Sequence, residues 1–459
     1  MDAKVIEQII LNQKAYFKEG NTLDVKYRRE KLKQLKVVIK KYENDLLEAL
    51  HKDLGKAEHE AYMCEVGLVY DDINFMVKNI KKLSAKKKYK TPLAQFKSKS
   101  YQIPSPYGVV LVMSPWNYPF LLSLDPLVEA FAAGNTVILK TSEYSRHTNI
   151  VVKTIIEEVF DPKECAVILG GLEENKALIA STFDYIFFTG SKNVGHIVYN
   201  SAASKMTPVT LELGGKSPCI VDETANIELA AKRIIFGKLL NCGQTCVAPD
   251  YLFAHKEIKE KLIQELIKQI KLQYSENVFE NDKYGKIITP MHYERIKGLI
   301  DYDKVIYGGK YNNDTCQIEP TLINNVTFDD KIMGEEIFGP LLPIIEFENI
   351  DEIIEYVNNN DSPLALYYFS RNKERVEKMM KRARYGGGCV NDTIIHLATS
   401  NLSFGGVGAS GIGQYHGKKG FETFTHYKSI VDKACFIDLP MRYQPYNKKY
   451  TKLIKKIMR

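Results

Sequence analysis

The sequence predicts an α/β protein: two doubly wound, mainly parallel sheets and a small β arm. Three observations lead there. At 459 residues the chain is about three average domains long, and with 45% hydrophobic and 26% charged residues it has an ordinary globular composition. From Tyr107 onward, short apolar runs alternate with helical stretches, the texture of a parallel sheet with crossover helices. The alternation resumes after Gly214, and two strand-like segments, 96–103 and 423–433, have no partner nearby in sequence.

Taken in order, residues 1–83 read as amphipathic helices, because Leu32, Leu35, Val38 and Ile39 recur at three- and four-residue steps among lysines and glutamates. The lysine-rich run 78–92 reads as a solvated connector. The runs GVVLVMSPW, NTVILKTSE, CAVILGG, DYIFFTGS and PVTLELGG follow as strands, each ending in polar or glycine residues. Such sheets bind ligands at the carboxyl ends of their strands, so chemistry is expected at those terminators. SPCIVD, YLFA, PLLPIIEF and LYYFS, with a helix over 258–272, make the second sheet. The expected division is 1–83 with 107–213 as one domain and 214–410 as another. Segments 84–106 and 411–440 bridge or oligomerise, each pairing with another chain, and 441–459 is a basic tail.

The formal charge of +7 sits in that tail. Residues 441–459 hold seven basic and no acidic residues, and removing those seven from the 63 Lys+Arg leaves 56, equal to the 56 Asp+Glu. A charge-balanced body excludes a nucleic-acid-binding surface as the main function. Eight scattered cysteines form no disulfide framework and suit a reducing compartment. The N-terminus lacks the pattern of a signal peptide, and no run approaches the roughly 18 apolar residues of a membrane span. The expectation is a soluble cytoplasmic protein.

Among candidate sites the most specific is NCGQTCVAPD at 241–250. Zinc is a poor reading, since His255 falls outside ligand spacing and no second cysteine pair exists; no metal is expected. A buried structural cysteine and a nucleophile both remain open, the second because a turn of small residues offers backbone donors and room for substrate. VTLELGGKSP places Glu212 at a strand end between Leu211 and Leu213, where burial would raise its pKa and suit a general base; a strand-end salt bridge is the alternative. In SPWNYPF, Pro115 and Pro119 stiffen a turn that holds the Asn117 amide, an oxyanion-hole donor or a simple loop partner. No G-x-G-x-x-G fingerprint follows any strand. In its place FFTGSKNVG ends a strand at Gly190 and Ser191 and opens a helix at Gly195, while Lys140 and Glu143 end another strand within reach of ribose hydroxyls.

Together PWNYP, LKTSE, FTGSKNVG, LELGGKSP, NCGQTC, EEIFGP and FGGVGASGIGQYHGKKGF resemble the aldehyde dehydrogenase superfamily in order and spacing, over residues 24–445. YHGKKGF and RYQPY look most like its class-three branch, which oxidises fatty and aromatic aldehydes with NAD or NADP. The resemblance implies a Rossmann-like cofactor domain, a catalytic domain and an oligomerisation arm, assembled as a homodimer. It implies Cys246 as nucleophile, Glu212 as general base, and Asn117 with the Cys246 N–H as oxyanion hole. Lys140, Glu143, Gly190, Ser191, Gly195, Glu336 and Phe338 match cofactor positions. Tyr62, Trp116, Tyr118, Ile394 and Phe404 match or neighbour an apolar substrate funnel. His396 and His416 receive no role.

Two departures stand out. Lys192 replaces the threonine common in the phosphate turn, where its charge would favour a 2′-phosphate or simply face solvent. The chain ends YTKLIKKIMR, without the apolar anchor of membrane-bound relatives. A loose solvated tail is the plainer reading, and peripheral contact with an anionic membrane through Leu453, Ile454 and Ile457 is the other.

Overall fold

The computed structural model describes residues 2–458. Helices Ala3–Lys18, Val25–Lys41, Glu43–Leu54 and Gly67–Leu83 occupy the N-terminal region. They bury the apolar stripe the periodicity marks, with Leu32, Leu35 and Ile39 fully enclosed. The chain then lays down β1 (Lys87–Tyr89) and β2 (Ser98–Pro106). Next come β3 (Val109–Met113), β4 (Thr136–Lys140), β5 (Cys165–Ile168), β6 (Tyr185–Gly190) and β7 (Val209–Leu213). β8 (Pro218–Val221), β9 (Tyr251–His255) and β10 (Val305–Tyr307) follow, then a short ribbon of β11 (Tyr311–Asn312) and β12 (Gln317–Ile318). β13 (Thr321–Ile323), β14 (Leu341–Phe347), β15 (Ala365–Phe369), β16 (Gly387–Val390), β17 (Gly411–Ile412) and β18 (Thr425–Lys433) complete the set.

Two large sheets result, in the orders β17-β7-β6-β3-β4-β5 and β10-β13-β14-β9-β8-β15-β16. Every pairing is parallel except β17 with β7 and β10 with β13, at one edge of each sheet. Strands buried on both faces explain the near-continuous apolar runs. In β3, Val110 and Val112 face one core while Val109, Leu111 and Met113 face another, as the period of two dictates. The core that takes Val110 also takes Leu252 and Ala254 of β9, so it is continuous between the two sheets.

Four expectations change in the structure. The segments expected to seek another chain pair with each other: β18 runs antiparallel to β2 over nine residue pairs, from Thr425 with Pro106 to Lys433 with Ser98. A chain can close on a strand hundreds of residues away, which local pattern cannot reveal. The bridging segment expected from residue 411 begins later, because β17 joins the first large sheet and the helix Gly417–Thr423 packs against Leu121–Ala133. The lysine-rich connector is partly strand, since β1 pairs with β2. The tail is likewise ordered locally, into the helix Lys448–Ile457.

Candidate active site

A cavity of about 890 Å³ opens between the two large sheets, and Asn117, Gly190, Ser191, Glu212, Cys246, Glu336 and Phe338 all line it. The two sheets contribute opposite edges. Asn117 and Gly190 lie at or just beyond the carboxyl ends of β3 and β6, where a doubly wound sheet is expected to bind. From the second sheet come residues that precede strands: Gly214 to Lys216 before β8, Cys246 before β9, and Glu336 and Phe338 before β14. That amino-edge contribution is not part of the sequence-based expectation.

Cys246 is partly exposed and sits on a loop fixed from several sides. Asn241 and Cys242 take left-handed conformations (φ 52° and 54°), and Gly243 follows at φ 76°, where a Cβ would lie 2.3 Å from the Gly339 carbonyl oxygen. Gln244 donates to the Asn241 and Lys286 carbonyls, both at 3.0 Å, and accepts from the Ile288 N–H. Tyr367 donates to the Val247 carbonyl at 2.5 Å. Burial first, then the carboxylates of Glu336 and Glu212, pushes the Cys246 thiol up, while its own N–H and that of Val247 pull the other way. Two backbone N–H groups therefore favour the thiolate, while burial and the negative charge of two carboxylates oppose it.

Glu212 lies in β7, opposite Gly411 of β17. It is 3% exposed, and neither carboxylate oxygen has a hydrogen-bond partner. The salt bridge that was the alternative reading is absent among the described residues. Burial alone holds its carboxyl well above the usual range. Such a group is costly to keep unless something else uses it.

Asn117 is placed by residues the sequence did not point to. The buried ion pair Lys56–Glu65 (2.6 Å) grips its loop: Lys56 donates to the Asn117 carbonyl at 2.9 Å, and Glu65 accepts from the N–H groups of Phe120 and Leu121. Asn241 also donates to the Asn117 carbonyl, at 2.8 Å. The Asn117 amide gives one N–H to the Gln244 carbonyl at 3.0 Å, leaving its second N–H for the cavity it lines.

The remaining candidates divide. Trp116 and Phe404 line the cavity, but Trp116 stands edge-on to Phe338 (5.4 Å) and beside His292 (5.0 Å), among the cofactor candidates. Tyr118 does not line it: its hydroxyl bonds Thr245 at 2.7 Å and its ring lies under Lys56, so it ties the Asn117 loop to the Cys246 loop. Tyr62 and Ile394 also lie outside the lining, the first exposed and the second buried against Gly237. Lys140, Glu143 and Gly195 lie outside it too. Lys140 donates to the Thr141 and Gly170 carbonyls, and Gly195 leaves room for Leu213, 2.6 Å from where its Cβ would be. Lys192 is paired with Asp361 at 2.9 Å across the cavity mouth.

The lining fits a dinucleotide. Gly190, Ser191, Lys192 and Asn193 put the N-terminus of the helix Lys192–Ala203 on the cavity, a setting suited to a pyrophosphate. On the second sheet's side Glu336 fills a cradle at Gly214, where any Cβ would come within 1.9 Å of its carboxylate. Arg295, on the helix Pro290–Lys297, secures that segment by donating to the Glu336 and Ile337 carbonyls. His292 and Arg295 thus join the site without any local sequence signal, because only the fold brings them there, whereas Tyr415 opens the YHGKKGF motif and receives no role from the sequence.

The model of the aldehyde dehydrogenase family matches residues 1–430. The chain belongs to the aldehyde dehydrogenase family. Among its relatives, a Staphylococcus aureus protein named 4,4′-diaponeurosporen-aldehyde dehydrogenase is 46% identical over 448 residues, covering 97% of this chain and 98% of the relative. A dog aldehyde dehydrogenase named as dimeric and NADP-preferring is 40% identical over 450 residues, covering 97% and 99%. A substrate-bound structure of Staphylococcus aureus AldH superposes with a TM-score of 0.97 at 46% identity, covering 99% of each chain. This aldehyde dehydrogenase is accordingly an NAD(P)-dependent oxidoreductase that oxidises aldehydes.

Proposed function

We propose that the chain oxidises medium- or long-chain aliphatic or aromatic aldehydes to carboxylic acids, with Cys246 as covalent nucleophile and Glu212 as general base. The observation that carries this reading is a buried carboxylate without a partner, in the same cavity as a cysteine whose sulfur faces backbone N–H donors.

The Cys246 proton leaves by way of a cavity carboxylate to solvent, which frees that carboxylate again, and the sulfur attacks the aldehyde carbon as the carbonyl π pair moves to oxygen. The resulting oxyanion is held by the free Asn117 N–H and the Cys246 N–H. Loss of one such donor should cost roughly 10²- to 10³-fold in turnover. What the nicotinamide supplies when bound is a hydride acceptor for the thiohemiacetal carbon; Glu336, Phe338, Gly190 and Ser191 would hold the dinucleotide. As the oxyanion re-forms a carbonyl, Cys246 carries a thioester. Glu212 then takes a proton from water, whose oxygen attacks the acyl carbon, and the C–S bond breaks to return the thiolate and release the acid.

Passing the acyl group to coenzyme A is the rival chemistry; the presence of Glu212 favours hydrolysis, and a Glu212 variant distinguishes the two. Glu212→Gln should still give a stoichiometric burst of NADH on rapid mixing while steady turnover collapses. An unchanged steady rate would remove Glu212 from deacylation. The apolar lining of Leu122 and Phe404 supports the substrate class, as does the aldehyde for which the Staphylococcus aureus relative is named.

We also propose a cytoplasmic homodimer. All eight cysteines carry free thiols, which suits a reducing compartment. β18 leaves one edge of the β1-β2-β18 sheet open to extension, and the dog relative is named as dimeric.

A further inference from the structure

The last helix, Lys448–Ile457, is capped by Asn447, whose side chain accepts from the N–H groups of Lys449 (2.8 Å) and Tyr450 (3.3 Å). Tyr450, Leu453, Ile454 and Ile457 fall at i, i+3, i+4 and i+7 and make one apolar stripe. Five lysines between 448 and 456 occupy the rest of the surface. Among the described residues the stripe is only partly covered: the helix has no buried residue, Tyr450 and Ile454 are half-buried, and Leu453 and Ile457 are 42% and 43% exposed. The helix makes only glancing contact with the other elements. Phe436, Tyr443 and Tyr446, on the approach to it, are exposed aromatics. A ten-residue helix is marginal in water by itself, so a cover for this stripe would also stabilise the helix.

We propose that this C-terminal helix docks on an anionic lipid bilayer. The apolar stripe would lie at the headgroup–acyl boundary and the lysines among lipid phosphates. Charge selects this occupant. Residues 439–459 contain no acidic side chain, and the body of the chain is charge-balanced, so a second copy offers the lysines no net negative charge while an anionic membrane does. The contact is peripheral, since among the described residues no helix is long and apolar enough to cross a membrane. Resting on the function proposed above, docking would bring the cavity to the phase in which long apolar aldehydes dissolve.

The test uses the full-length protein with vesicles of phosphatidylcholine alone or mixed with phosphatidylglycerol, read by co-sedimentation, and light scattering for oligomeric mass. The expected result is binding to the anionic vesicles only, weakening with salt as charges are screened. K452E/K456E should bind roughly tenfold more weakly or worse, and L453S/I457S should not bind. Oxidation of hexadecanal supplied in vesicles should fall in both variants, while oxidation of propanal in vesicle-free buffer stays at the wild-type rate. Equal binding to neutral vesicles, or no binding at all, overturns the proposal. So does a change of mass in L453S/I457S with vesicle binding intact, which would assign the stripe to a second copy. A wild-type chain that binds vesicles but leaves propanal and hexadecanal untouched would instead overturn the aldehyde reading.

Discussion

Two cysteines four residues apart differ in what surrounds them. Cys242 is buried at left-handed φ, with its sulfur 3.2 Å from where a Cβ of Gly285 would stand, and burial pushes its thiol up. Cys246 reaches the cavity. We therefore expect Cys246→Ser to abolish aldehyde oxidation with NAD(P) binding intact by fluorescence titration, and Cys242→Ser to retain most activity. Loss of activity in both would put the chemistry elsewhere. Glu212 adds a pH dependence whose sign is fixed by its raised pKa: the base works only when deprotonated, so thioester hydrolysis should climb with pH and fade as pH falls. In single-turnover measurements of acid release, the wild type should show that rising limb. A Glu212→Gln enzyme with the same limb would mean that another group titrates.

At the scale of elements, the loop after β3 is held by one buried ion pair. Lys56 and Glu65 are both fully enclosed, and between them they bond the Asn117 carbonyl and two N–H groups of the next turn. Removing one partner leaves a buried charge uncompensated, at a cost of about 3–5 kcal/mol. Lys56→Met should lower the midpoint of chemical denaturation and reduce kcat through a displaced Asn117, whereas Lys56→Met with Glu65→Leu should recover much of the stability but not the rate. If the single variant keeps wild-type kcat, the pair does not position the loop. This pair also marks the limit of what the sequence disclosed. The strands after Tyr107 were legible because each is a short β-rich run with a turn residue at its end, and the groups that meet in the cavity were legible because they sit on those ends or within compact motifs. Lys56 and Glu65 lie in a charged helical region where any lysine or glutamate reads as solvated. Only the fold places them beneath Asn117. The β2–β18 pairing was hidden for the same reason, being a contact across more than three hundred residues.

The whole molecule carries a second group of enclosed carboxyls. Asp72 of the helix Gly67–Leu83 lies near Asp125 and Glu129 of Leu121–Ala133, at the packed face of those two helices. Asp72 Oδ2, Asp125 Oδ1 and both Glu129 oxygens lack hydrogen-bond partners. Burial first raises all three; repulsion from Asp71 adds to it at Asp72, from Asp72 and Asp71 at Asp125, and from Asp72 and Asp125 at Glu129, and Asp72 is pushed up to about 8 from its ordinary 3.8. Between those two values the folded chain holds a proton that the unfolded chain has released. Stability from this group is therefore fully present below about pH 3.8 and lost as pH rises through about 8. Asp72→Asn removes the titration but keeps the shape. Any fixed cost of the amide applies at every pH, so the informative quantity is the difference between the two curves. Measured by urea denaturation from pH 6 to 9, Asp72→Asn should gain on the wild type by on the order of 2 kcal/mol across that interval. Parallel curves would mean that Asp72 is ionised in the folded protein already at pH 6, and that the helix interface tolerates its charge.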